Sequence, residues 1–435
     1  MTITLYRPSQ IGGCITKIES SKGTTIFVDL GHNLPRGEED APDEYASAEA
    51  VEELTRGAKA IFFTHMHGDH IDLLKYVPDG IELYLGPLAA NIMTAKYTHM
   101  SSVEDWKETC RICLPKLEAS KKYHKGRRIT IDNITVTPYQ VSHSSVDSYM
   151  LKIECDGKTI LHTGDFRGHG YMGEGIFKVI DKYHIAGHVD VLITEGTNID
   201  RTNYSMQTEA ALKEDFKDVL FKYKNTFILC SSTDADRLES IFCANMEGAK
   251  RPFIVDSYQK YLISLISEQA EEGRCLYRIN STGIYGYNPK VEKMVQMMKN
   301  HGFVMIIRNS IKFQGFLDGI LPFCKPEETC LVYSMFHGYI DKKNPAFNKS
   351  MHSFIEQFRD NGCTIKDRLH TSGHASKQDL VRLCQQVNPH VIIPIHKDPN
   401  SDFKSILSEE LARRVCDGDC CKDGVTILFD PKRIS

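Results

Sequence analysis

The stretch Ala60-Ile61-Phe62-Phe63-Thr64-His65-Met66-His67-Gly68-Asp69-His70 constrains this chain more than any other. Its apolar start reads as a buried strand. The run stops at a polar turn, where Gly68 permits a tight backbone path. Four metal-capable side chains therefore stand at the end of a strand, where an α/β layer places its site. Imidazole and carboxylate are donors that suit zinc and its first-row neighbours. So short a segment cannot easily aim all four groups at one ion, and the spacing points to two adjacent ions.

The same pattern recurs along the chain. Residues 134–139 alternate as a strand that breaks at Val141-Ser142-His143. Residues 149–154 and 158–162 read as a hairpin around Asp156-Gly157. Its second strand runs out into His162-Thr163-Gly164-Asp165. The apolar run 189–194 ends at Glu195, and the run 391–395 ends at His396. Between them, His370-Thr371-Ser372-Gly373-His374 precedes a helix over 377–387. Strand ends that keep delivering His, Asp or Glu argue for one site better than any single residue does.

A chain of 435 residues exceeds one ordinary core, which predicts two lobes. Residues 1–200 form the first part of one lobe, and residues 366–435 return to it. Between them, residues 201–365 alternate strand and helix, the signature of an open parallel sheet with helices on both faces. A single, mostly polar helical stretch is expected over 89–114. The composition, 41% hydrophobic and 25% charged, is that of a soluble globular protein. No run is long enough to span a bilayer, and the first residues carry no leader pattern. Fourteen cysteines lie mostly singly, which places the chain in a reducing cytoplasm. Cys110 and Cys113 lack the second pair that a zinc knuckle needs, and Cys416, Cys420 and Cys421 read the same way. A net charge of −4 gives no global pull toward nucleic acid, so a polyanion must be held by local basic groups and metal. The basic run 121–128 reads either as a solvated hairpin edge or as a phosphate-contacting rim.

With these pieces in place, the chain resembles the metallo-β-lactamase superfamily, in its β-CASP nuclease branch of the ribonuclease J type. The resemblance rests on His65-Met66-His67-Gly68-Asp69-His70, His143, Asp165, Glu195 within Thr194-Glu195-Gly196-Thr197, His374 within Thr371-Ser372-Gly373-His374-Ala375, and His396 within Pro394-Ile395-His396. It implies an α/β fold, an αββα sandwich with an inserted β-CASP lobe. It implies one ion on His65, His67 and His143, a second on Asp69, His70 and His396, and Asp165 bridging them. Zinc is the expected pair of ions, with manganese acceptable to such nitrogen and oxygen donors. The candidate catalytic residues are Asp69, Glu195 and His374.

A phosphodiester repels nucleophiles, and two cations a few ångströms apart activate a shared water and neutralise developing charge. His374 is the implied general acid, with Glu195 holding it oriented and cationic. Histidine at position 396 is the residue that accompanies RNA nucleases in the resembled family. The expected partner is therefore RNA, single-stranded, with no membrane and with a homodimer admitted. Ser231, Ser232 and Ser372 follow predicted strands among small neighbours that let backbone amides approach a phosphate, and His370 joins them as a candidate substrate contact. The chain departs from ribonuclease J at Lys397-Asp398-Pro399, in lacking the bacterial C-terminal domain, and in having no clear Gly-Ser phosphate loop. Exonuclease and endonuclease action both stay open on these grounds. Two rival readings are a small-molecule metallo-hydrolase of the lactonase or thioesterase type, and a catalytically silent RNA-processing scaffold.

Overall fold

The computed structural model describes residues 1–35, 42–202, 206–268, 277–280, 282–416, 423–424 and 426–428. They divide into two compact units. As far as it is described, the first is made of Met1–Leu34, Ala41–Met206 and Gly373–Ser435, and the second of Gln207–Ser372. Residues 36–41, Cys420 and Cys421 lie outside the described residues.

In the first unit, the apolar run before residues 65–70 is one strand of a seven-stranded sheet. Its strands are β1 (Thr2–Tyr6), β2 (Ile15–Glu19), β3 (Thr25–Leu30), β4 (Ala58–Phe62), β5 (Glu82–Leu85) and β6 (Lys121–Lys122) in chain order, with β19 (Thr426–Leu428) beside β1. β1 to β3 are antiparallel, and β3 to β6 are parallel. A second sheet holds β7 (Ile129–Ile131), β8 (Ile134–Val141), β9 (Ser148–Cys155), β10 (Lys158–His162), β11 (Val191–Glu195) and β18 (Val391–Ile395). Its order is β18-β11-β10-β9-β8-β7, with β10, β11 and β18 parallel.

Period-two alternation decides what each sheet buries. Ile3, Leu5, Ile26 and Val28 of the first sheet meet Leu151, Ile153, Val191 and Ile193 of the second in one buried cluster. The residues between them on the second sheet, among them Met150 and Leu192, point the other way. They pack under Ile176, Phe177 and Ile180 of the helix Gly175–Lys182 and Leu380, Leu383, Cys384 and Val387 of the helix Lys377–Val387. That last stripe has the three-four spacing of an amphipathic helix. On the far side of the first sheet, the 3-10 turn Asp72–Tyr76 packs on β3, and the helices Ala48–Leu54 and Lys107–Ala119 pack on that turn. The layers run helix, sheet, sheet, helix, as the family resemblance implies. No helix among the described residues is long and apolar enough to cross a membrane.

The expected helix over 89–114 is instead two helices, Pro87–Met100 and Lys107–Ala119. Residues 101–105 are all exposed, so no apolar contact carries the helix through them. Cys110 and Cys113 are free, buried thiols of the second of these helices. In the basic run, Lys121 pairs with Glu82 at 2.6 Å and Arg128 with Glu154 at 3.3 Å, and Lys121–Lys122 is a parallel edge strand and not part of a hairpin.

The second unit is built on β12 (Asn225–Cys230), β13 (Phe253–Val255), β14 (Ile284–Gly286), β15 (Phe303–Ile307), β16 (Thr329–Ser334) and β17 (Thr364–Lys366). The sheet order is β14-β13-β15-β12-β16-β17, and every pairing is parallel. β12, β15 and β16 are buried throughout, which is why they read as unbroken apolar runs. A buried ion pair, Arg237 with Glu209 at 2.9 Å, ties the helix Ala235–Glu247 to the helix Glu209–Lys222. Arg237 also donates to the Ser334 carbonyl, to His370 Nδ1 at 3.2 Å and to the Thr371 carbonyl at 3.1 Å. Arg237→Leu strands the Glu209 carboxylate in the core, so urea unfolding of this unit should show a loss of about 3–5 kcal/mol. Lys325→Ala, at an exposed pair with Glu328, should leave the midpoint in place.

Candidate metal centre

The strand ends of the first unit supply one cluster. β4 runs out into His65, His67, Asp69 and His70, the last two on the short helix Gly68–Ile71. β8 leads to His143, β10 to Asp165 and β18 to His396, while Glu195 is the last residue of β11. His374 lies just before the helix Lys377–Val387, which a capping box of Ser376 and Asp379 starts.

Asp165 is the hub. Its Oδ2 lies 3.1 Å from His70 Nε2 and 3.9 Å from the Nε2 atoms of His65, His143 and His396. His143 Nε2 is 3.1 Å from His67 Nδ1, and His396 Nε2 is 3.2 Å from Asp69 Oδ2. Donor atoms of His65, His67 and His143 fall within 4.8 Å of one another, as do those of His65, His70 and Asp165. The sets His143, Asp165, His374 and Cys14, His70, His396 meet the same limit.

The outward hydrogen bonds dictate which ring nitrogen carries the proton. Asp29 accepts from the Thr64 amide at 2.7 Å, the Thr64 hydroxyl at 2.8 Å and His70 Nδ1 at 2.8 Å. A carboxylate only accepts, so His70 Nδ1 carries a proton and Nε2 is the nitrogen left to face Asp165 and to bind a cation. The Thr64 hydroxyl proton is committed to Asp29, so its oxygen accepts from His65 Nδ1 at 3.0 Å. His143 Nδ1 donates to the Gly373 carbonyl at 2.6 Å. Thr197 donates to the His396 carbonyl at 3.2 Å and accepts from His396 Nδ1 at 2.7 Å. Four Nε2 atoms are thereby the ring nitrogens turned on two carboxylates. His65 Nε2 and His70 Nε2 are buried with no hydrogen-bond partner. Buried imidazole nitrogens without hydrogen-bond partners, gathered on two carboxylates, are the donor chemistry that divalent cations take, so the set fits divalent metal.

The electrostatics divide the cluster. Burial holds the imidazoles of His65 and His143 well below their ordinary range and brings His67 down to about 4. Burial also opposes charge on His396 and His374, but Asp165 with Cys14 and Asp69, and Glu195 with Asp165, raise these two to about 9. His374 Nδ1 lies 3.1 Å from Glu195 Oε2, and Glu195 Oε1 accepts from the amides of Phe166 at 3.0 Å and Ala375 at 3.2 Å. The His374 side chain is 22% exposed against 1% for Glu195, so it is the solvent-facing member of the pair. Its carbonyl is held by Asn198 Nδ2 at 3.2 Å.

Two backbone positions store strain to aim these groups. His396 has φ 50° and Asp29 φ 60°, a left-handed conformation that costs a non-glycine residue about 1–3 kcal/mol. Gly31 is required for another reason. A Cβ there would stand 1.7 Å from the Asp69 carbonyl oxygen.

Asp29, Thr64, Thr197 and Cys14 escaped the sequence reading. Asp29 carried the available signal, since it too is a polar residue at a strand end. Ser231, Ser232, His370 and Ser372 belong to the second unit, whereas the donor cluster lies wholly in the first. Ser231 Oγ stands 3.3 Å from Thr233 Oγ1, and Ser232 Oγ accepts from Arg308 at 3.4 Å.

Comparison with known proteins follows the same lines. Residues 39–217 match a β-lactamase superfamily domain, and residues 362–412 match a Zn-dependent metallo-hydrolase RNA specificity domain. Ribonuclease J of Sinorhizobium meliloti is 23% identical over 85% of this chain and 63% of its own length. Ribonuclease J of Pyrococcus abyssi is 24% identical over 90% of this chain and 88% of its own. That of Methanocaldococcus jannaschii is 21% identical over 94% of both. The chain spans about two thirds or less of the length of several bacterial relatives, 63% and 55% in two of them. A crystal structure of a protein of unknown function from Enterococcus faecalis shares the fold, with a TM-score of 0.71 and 18% identity over 98% of this chain and 99% of that one. By its two domain matches the chain carries a β-lactamase superfamily domain and a Zn-dependent metallo-hydrolase RNA specificity domain, and along most of its length it is similar to proteins named ribonuclease J.

Proposed function

We propose that this chain is a metal-dependent ribonuclease that hydrolyses phosphodiester bonds of single-stranded RNA. The observation that carries the reading is the set of inward Nε2 atoms ranged on Asp69 and Asp165, with the His374–Glu195 pair at its edge. The ribonuclease J relatives and the match to an RNA specificity domain support RNA as the substrate. His65, His67 and His143 would hold one cation, Asp69, His70 and His396 the other, with Asp165 between them. When bound, two divalent cations supply an activated water and offset charge on the phosphoryl oxygens.

The chain's own residues do the rest. His374, held cationic by Glu195, donates a proton to the leaving oxygen of the ribose. Glu195 is a positioning residue: two amides and one imidazole leave its carboxylate no freedom to turn. Asp29 and Thr64 orient His70 and His65 from behind. Ser231, Ser232, His370 and Ser372 serve the substrate backbone from the second unit.

The proposal predicts two ions per chain by elemental analysis at saturation, and fewer in Asp165→Ala. One ion or none in the wild type, with activity unaffected, overturns it. The same preparation should degrade single-stranded RNA in preference to single-stranded DNA and a simple carboxylic ester. Turnover of the ester alone would place the chain among small-molecule hydrolases.

His374→Ala should keep both ions and bind RNA normally, while its rate falls by roughly 10²–10⁴. A substrate with sulfur at the leaving position needs little protonation, so there His374→Ala should recover most of its deficit. His396→Ala should lose an ion and recover nothing. If His374→Ala loses metal, or stays equally slow on the sulfur substrate, the acid lies elsewhere.

Asp29→Asn should weaken metal affinity by roughly 10–100-fold without touching an ion, because the amide no longer enforces the His70 tautomer. Isothermal titration with zinc checks this, and unchanged affinity would remove Asp29 from the orienting role.

A further inference from the structure

Cys14 reaches the donor cluster from a wall that the metal motifs do not include. Its sulfur and one ring nitrogen each of His70 and His396 lie within 4.8 Å of one another, all three residues buried. A buried free cysteine is ordinarily a packing residue. Among the described cysteines, however, Cys14 alone joins such a set. The backbone holds it there. Gly12 and Gly13, at φ 84° and 70°, make a left-handed turn that side-chain-bearing residues resist. The Cys14 amide then donates to the Asp69 carbonyl at 2.9 Å, and its own carbonyl accepts from the Gly31 amide at 3.0 Å. The His32 amide closes the weave on the Gly68 carbonyl at 3.1 Å. Three separate segments are thus laced so that the Cys14 backbone is bound to that of Asp69 and the thiol stands within reach of His70 and His396. His70 Nε2, buried and without a hydrogen-bond partner, points independently to a missing ligand in the same place.

Resting on the two-cation reading above, we propose that Cys14 is a further ligand of the cation held by Asp69, His70 and His396. The thiol proton leaves to solvent as the sulfur binds. A thiolate is a soft donor, so this position becomes selective for a thiophilic divalent ion, zinc or cadmium, over manganese or magnesium. The His65, His67 and His143 position keeps nitrogen and oxygen donors only.

Zinc K-edge X-ray absorption of the full chain, loaded with two zinc ions, tests this directly. The wild type should show a sulfur scatterer at about 2.3 Å, alongside nitrogen and oxygen at about 2.0–2.1 Å. Cys14→Ser should lose the sulfur shell and keep zinc at the other position, whereas Cys324→Ser should keep the shell. Should Cys14→Ser fail to fold, alkylation of the wild type decides, read by the mass of the Cys14 peptide. Zinc should protect the thiol and chelation expose it. Two zinc ions with a purely nitrogen and oxygen shell, a sulfur shell that survives Cys14→Ser, or labelling that ignores zinc overturns the assignment and leaves the two-cation reading standing. A wild type that binds no zinc removes both.

Discussion

The Asp29 carboxylate and the three hydrogen bonds it accepts carry the organisation of the site. Buried and acceptor-only, it fixes Thr64 at the end of β4 by amide and hydroxyl, and through them the tautomers of His65 and His70. Without it, the two imidazoles would have no reason to present their Nε2 atoms inward. The same device is repeated with other acceptors, the Gly373 carbonyl for His143 and the Thr197 hydroxyl for His396. Each inward Nε2 is the consequence of an outward bond.

This arrangement asks the fold for strand ends that finish together. The parallel runs β3-β4-β5 in one sheet and β10-β11-β18 in the other bring their carboxyl ends to the same rim of the sandwich. The core between the sheets is apolar and close-packed, so the rim is the one place where acidic and imidazole groups can accumulate. Strain follows from this. His396 leaves β18 in a left-handed conformation, φ 50°. The rigid sheets absorb that cost.

The two units divide the chemistry by composition. The first holds the buried His and Asp cluster. The second holds a wholly parallel sheet whose own buried polar pair, Arg237 and Glu209, orders residues 370–371 just before the chain crosses back to the first unit. Asp256 plays a similar part further along that sheet, buried and accepting from Arg308 at 2.6 Å and Lys312 at 2.8 Å. Ser232 is drawn into this network through Arg308, which gives that serine polar company without a place in the metal cluster.

What the sequence by itself determined was the list of strands and the chemistry at their ends. Apolar runs closed by His, Asp or Glu are local patterns, and His65, His67, Asp69, His70, His143, Asp165, Glu195 and His396 were legible from them, while His374, which precedes a helix, came from the family resemblance. The layer order came from the family resemblance that those motifs carry, and not from the periodicity of the strands. The break at residues 101–105 was not legible, since helix propensity there is ordinary and only the lack of a surface to pack on ends the helix. Nor were the groups that stand behind the ligands. Thr64, Thr197 and Gly373 are ordinary residue types with no spacing rule, and their roles exist only where distant strands meet. Cys14 is the sharpest case. Nothing near it in the chain suggests metal, and it becomes a neighbour of His70 and His396 only because backbone bonds lace residues 12–14, 31–32 and 68–69 into one wall. Local pattern sets which side chains can do chemistry; the tertiary structure decides which of their nitrogens, oxygens and sulfurs face one another, because that depends on hydrogen bonds between segments far apart in the chain.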